Sequence, residues 1–142
     1  MISEQLQNLH KIGLLDAVPF SAELLEKMLN VAHTRLQDAM RLDNSMETRF
    51  DCAYTAIRAV ADAALLKRGF RTSTSKPGHH QTTLQCLVHT LDIDPLTVRV
   101  LDSLRKQRNL IDYDGELITQ TLLNECLYQA HTLMTIANQR LN

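Results

Sequence analysis

Tryptophan is absent from this chain, and glycine (four), proline (three), phenylalanine (three) and tyrosine (three) are scarce. So few turn formers argue against short strands joined by many turns, and so few rings leave little on which to stack single-stranded bases. Net charge is also nearly missing. A formal −1 at pH 7 gives no overall pull toward nucleic acid or an anionic membrane. No uninterrupted apolar run reaches membrane-spanning length, and the opening M-I-S-E-Q-L-Q-N-L-H lacks the basic stretch and apolar run of a secretory signal. The expected location is the cytoplasm, with no membrane partner. Three cysteines, Cys52, Cys86 and Cys126, are odd in number, far apart and set in helical patterns, so they read as reduced, buried thiols. No C-x-x-C pair and no H-E-x-x-H occurs, so neither a metal site nor a cofactor is expected.

What is present is helical periodicity. The 142 residues, 44% of them hydrophobic, suffice for a single domain spanning 1–142 with its own core. The spacing predicts an all-α protein, an antiparallel bundle of four to five main helices with short connections. Ile2 to Leu15 reads as a short, loosely packed helix with Leu6, Leu9 and Ile12 on one side, ending near Gly13. Ser21 caps a second helix with the stripe Leu24, Met28, Ala32, Leu36 and Met40, flanked by Leu25, Leu29 and Ala39, and apolar through Leu42. A third begins at Ser45, carries Phe50, Tyr54, Ile57, Ala61, Ala64 and Leu65, and ends at Gly69. Its many alanines permit close approach by neighbours.

Phe70 to Gly78 has the composition of a mobile loop, and His79 to Leu91 reads as a shorter helix with Leu84, Leu87, Val88 and Leu91 inward. Asp94-Pro95 then starts a long helix with a capping residue followed by proline. After Gly115 a last helix runs toward Asn142, with Leu122, Cys126, Ala130, Leu133, Met134 and Ala137 inside. Between Lys67 and Arg108 eight basic side chains face three acidic ones, a local excess of +5.

In the long helix Leu96, Val100, Leu104, Arg108 and Ile111 or Asp112 recur every three or four residues, so a guanidinium stands where another leucine is expected. An arginine in that position stays charged and needs carboxylates, carbonyls or a ligand phosphate around its donors. Asp112, four residues on, is the structural partner within reach. Tyr113 adds a phenol, and Gly115 supplies the left-handed residue that closes the helix.

Arg105-x-x-Arg108-Asn109-x-x-x-Tyr113, preceded by Gly69-Phe70-Arg71 and by Gly78-His79-His80 at the start of a helix, resembles one bacterial branch of the HEPN superfamily. The resemblance covers roughly Phe50 to Met134 and implies a helical bundle working as a homodimer. In catalytic members the arginine motifs of two subunits face one cleft. RNA is cut there without metal through its own 2′-hydroxyl, in toxin–antitoxin or defence systems and often beside a nucleotidyltransferase antitoxin. On this chain the resemblance implies Arg71, Arg105, Arg108 and Asn109 as contacts to RNA or nucleotide phosphate. Tyr113 takes the place of the family's histidine, and a phenol titrating near ~10 shuttles protons poorly at neutral pH. His79 or His80 can replace the missing imidazole if their segment packs beside Tyr113.

Plainer readings stand beside these. Arg108 and Asp112 can be a structural ion pair, Tyr113 a packed residue whose hydroxyl bonds a carbonyl, and His79 and His80 helix-start residues. The chain is then a non-catalytic interaction and dimerisation module held by an Arg-Asp-Tyr network.

Overall fold

In the computed structural model the chain is a helical bundle. Residues 3–115 and 117–141 are described, except for the side chains of Tyr113 and Asp114. The elements in order are α1 (Glu4–Lys11), β1 (Leu15–Ala17), α2 (Ala22–Met40), α3 (Met46–Lys67), β2 (Phe70–Thr72), α4 (His79–Gln85), α5 (Leu87–Thr90), α6 (Pro95–Asp114) and α7 (Gln120–Arg140). No helix among the described residues is long and apolar enough to cross a membrane.

α3 is the central element. It packs against α2 and α7 on one side and against α4, α5, α6 and β2 on the other. Only a helix rich in small residues can be enclosed this way, and Ala53, Ala56, Ala61, Ala63 and Ala64 are all buried with Phe50, Ile57 and Val60. Caps mark where the helices start. Ser21, Ser45, Asp94 and Thr119 each accept a hydrogen bond from a backbone N–H of the first turn, which satisfies a donor the helix leaves open. The α2–α3 turn is stitched by two side chains. Asn44 donates to the Asp38 carbonyl at 2.9 Å and the Arg49 guanidinium to the Ala39 carbonyl at 2.8 Å.

Two stripes are rotated in part from where the sequence sets them, with Ala32, Leu36 and Leu104 buried as expected. On α2 the buried residues are Leu25, Leu29, Ala32, Leu36 and Ala39, while Leu24 and Met40 are nearly half exposed. On α6 they are Val98, Leu101 and Leu104, with Leu96 outside. Both helices carry leucines on adjacent faces, and packing on α3 selects one. Arg108 keeps its inward register, four residues past Leu104.

The stretch 70–78 is not all loop. Phe70–Thr72 pairs antiparallel with Leu15–Ala17, in the register Leu15↔Thr72, Asp16↔Arg71 and Ala17↔Phe70. Strands this short carry too little alternation to be recognised by period. The ladder brings α1 down onto the end of α3. There Leu6, Leu15, Leu65, Phe70 and Cys86 form a small second core, so α1 is firmly docked rather than loosely packed. The helix expected over 79–91 is divided at Cys86, itself buried and pushed up to about 11 by burial.

Leu6→Ala should therefore cost about 2–5 kcal/mol, the range for emptying an enclosed leucine site. Ile12→Ala, at a side chain 65% exposed, should stay within about 0.5 kcal/mol. Urea denaturation of both variants checks the docking of α1.

Candidate functional site

The polar residues of α3 that line its α4 and α6 side are Asp51, Tyr54, Arg58 and Asp62. Steps of three or four residues place them on one face of the helix, forming a polar seam along an otherwise alanine-lined rod. α6 crosses this seam at Arg108. Arg108 Nε donates to Asp51 Oδ1 at 2.8 Å, its guanidinium carbon lies 5.5 Å from the centre of the Tyr54 ring, and Nη1 is 4.0 Å from Asp112 Oδ2. Burial opposes the charge of Arg108, but the hydrogen bond and charge of Asp51, then Asp112 and Tyr54, outweigh it and hold its pKa above the ordinary value. The arginine is 30% exposed, so part of its donor fork still meets solvent.

Asp112 is thus the outer, weaker partner and Asp51 the main one. The partner is 57 residues away in sequence, beyond any spacing rule within α6. Tyr54, at 2% exposure, is the tyrosine whose ring meets the guanidinium; the side chain of Tyr113 lies outside the described residues. Burial raises the Tyr54 phenol pKa, although Arg58, Arg105 and Arg108 draw it back, so the hydroxyl stays protonated at neutral pH.

The other expected phosphate contacts scatter. Arg105 donates through Nε to Asp102 Oδ1 at 2.8 Å, and Lys106 holds the other oxygen of that carboxylate at 3.5 Å. Arg71 projects from β2 with its Nε 3.8 Å from Asp16 Oδ2. Asn109 is exposed beside Arg108.

The glycine-histidine corner does come to the seam. Gly78 takes a left-handed conformation, φ 75°, at the cap of α4, a turn that a residue with a Cβ adopts at a cost. It turns His79 and His80 back toward α3. The two rings stack at 4.0 Å between centroids and 45° apart, and His79 Nδ1 lies 3.3 Å from the Lys76 carbonyl oxygen. Burial lowers the His80 pKa to about 4, helped by Arg58, His79, Arg108 and Arg105. At pH 7 His80 is therefore neutral. Both helices that carry the sequence motifs act on this one imidazole.

Beside the histidines, between α2, α3, β2 and α4, lies a cavity of about 570 Å³. Val18, Leu24, Met28 and Phe70 form its apolar wall, and Arg58, Asp62, Arg71, His79 and His80 its polar one, so among the expected phosphate contacts Arg71 does share a cavity with the histidines. Asp62 is raised by burial, with Arg58 and His79 pulling the other way. Arg58 makes no hydrogen bond or ion pair among the described residues, and that sets it apart from Arg71, Arg105 and Arg108. Asp51, Arg58 and Asp62 were not singled out from the sequence, and Tyr54 was read there only as part of the apolar stripe. The signal existed: they are polar side chains at i, i+3, i+7 and i+11 on the most apolar helix.

No family model, no curated protein and no solved structure matches the chain. No group of three or more His, Cys, Asp or Glu suited to a metal ion occurs among the described residues.

Two measurements follow. Asp51→Ala and Arg108→Ala in a double-mutant cycle should show a coupling of about 1 kcal/mol, since both side chains are partly solvated. The His80 ring should titrate by NMR near about 4. Its folded pKa lies below the unfolded 6.5, so its contribution to stability is complete above that value and is lost as pH falls toward 4. His80→Asn should flatten the decline in stability over that window.

Proposed function

We propose that this chain is a HEPN-type homodimer that binds RNA or nucleotide phosphate along the seam between α3, α4 and α6. The activity proposed is metal-independent endoribonuclease action of the toxin–antitoxin or defence kind, with a nucleotidyltransferase antitoxin as the partner class. The observation that carries this reading is the meeting of the Gly78-His79-His80 corner and the Arg108 helix over α3, where Arg58 feels the charge of Asp62 but has no carboxylate at ion-pair distance among the described residues.

An incoming phosphate would meet Arg58 and the solvent-facing edge of Arg108. Neutral His80 is suited to accept the proton of a 2′-hydroxyl. A bound phosphate would offset the surrounding cations and raise the His80 pKa toward the range in which an imidazole also gives protons back. Arg108 would then stabilise charge on the scissile phosphate while Asp51 holds its orientation.

A second reading is favoured by one specific contact. The 2.8 Å bond from Arg108 to Asp51 already satisfies the face of the guanidinium that looks into the bundle. That is how a non-catalytic dimerisation module would use an Arg-Asp-Tyr network.

Fluorescence anisotropy with a generic single-stranded RNA separates the two. On the first reading, binding weakens steeply as salt rises, and Arg58→Ala and Arg108→Ala each lower the salt slope by about one with helicity intact. Absence of binding at low salt selects the second reading. Cleavage by wild type and by a His79→Ala, His80→Ala double variant addresses the chemistry: equal rates, or none in either, remove the histidines from it. Sedimentation showing only monomer would exclude a two-subunit cleft.

A further inference from the structure

Three polar side chains face the cavity beside α3 without a hydrogen bond or ion pair among the described residues: Arg58, Asp62 and His80. Half-buried polar groups in a folded protein are nearly always matched by protein, water or ligand. Other such groups are matched by protein: Thr83 by Thr72 and the His79 carbonyl, and Asp102 by two cations, while Thr90 Oγ1 is buried without a partner among the described residues. The cavity also has the composition of a ligand site, apolar on one side and convergent polar groups on the other, at about 570 Å³, within the usual range for small-molecule pockets.

The pattern of the polar wall selects the ligand. Asp62 offers two adjacent acceptor oxygens, and Arg58, one helical turn before it, offers only donors. The complementary edge is planar and presents two neighbouring N–H donors beside a carbonyl acceptor. Opposite it, Leu24, Met28 and Phe70 supply flat apolar contact for a ring. The geometry points to a nucleobase pocket for a guanine-type lactam, its N–H edge on Asp62, its carbonyl on Arg58 and its ring against the α2 and β2 wall.

The pocket deepens the phosphate reading and rests on it for direction: a nucleotide seated this way leaves the cavity past His80, on the side from which Arg108 and Arg105 act. Adenine is disfavoured by the same pattern, because its edge turns a lone pair toward the carboxylate. Asp62 supplies that discrimination through unpaired acceptors rather than through shape, which is the stronger kind of selection.

Isothermal titration with nucleosides, which carry no phosphate, tests the pocket independently of RNA binding. Guanosine should bind, inosine should bind about tenfold more weakly for loss of one N–H, and adenosine should give no heat. Asp62→Asn should reduce guanosine affinity by about tenfold or more with an unchanged or higher melting temperature, since it removes a half-buried carboxylate. Leu24→Trp, at a site 45% exposed that tolerates a larger ring, should close the cavity and abolish binding. Arg41→Ala, at an exposed side chain paired with Asp43 and outside the cavity lining, should leave nucleoside affinity unchanged. Equal affinity for adenosine and guanosine, undiminished binding by Asp62→Asn, or no binding of any nucleoside overturns the pocket. A guanosine-binding protein that ignores RNA at low salt would instead keep the pocket and remove the phosphate seam.

Discussion

A helix enclosed by neighbours has nowhere to place its charges except along the line where those neighbours leave a gap. α3 is in that position, and its alanines are what let α2 and α7 close on it. The remaining polar residues are gathered into one seam, and α6 seals one end of it by placing the Arg108 guanidinium between Asp51 and the face of Tyr54. The bond between the two helices and the proposed site are therefore made of the same atoms. Taking one carboxylate from this junction leaves a half-buried cation without its main counter-charge, a loss that destabilises more than the intact pair stabilises.

The basic excess of the sequence is distributed unequally. Asp102, inside the segment, holds both Arg105 and Lys106, and Asp16, Asp51 and Asp112 from outside it meet Arg71 and Arg108, so part of the +5 counted between residues 67 and 108 is locally cancelled. Arg58, outside that segment, is the cation facing the cavity without such a partner among the described residues. His80 registers the sum of these fields: burial and four cationic or polar neighbours keep it unprotonated. In the reading proposed above, this corner is where the phosphate would sit.

The helical architecture was legible because its signals are local. Caps at Ser21, Ser45 and Asp94, glycines closing helices at Gly69 and Gly115, and the repeat of leucines each act within one turn or two. The inward placement of Arg108 was legible for the same reason. Its partner was not, because Asp51 and Arg108 meet only after two helices cross, and periodicity on one helix says nothing about what the other presents. The same limit hid the cavity, whose walls come from four separate elements. Strand pairing of three residues escaped notice since its reason lies in a small core, Leu6, Leu15, Leu65, Phe70 and Cys86, assembled from both ends of the first half of the chain.

That little ladder also spans the first half of the chain. Leu15 and Thr72 meet across the folded-back pair of α2 and α3, so the N-terminal clasp is a long-range closure over a more local hairpin. Its amides stand at the end of the cooperative unit and should open first in the native state. Because β2 is at once half of the clasp and part of the cavity wall, whatever fills the cavity also steadies the clasp. α1 is thereby mechanically linked to a cavity it does not line.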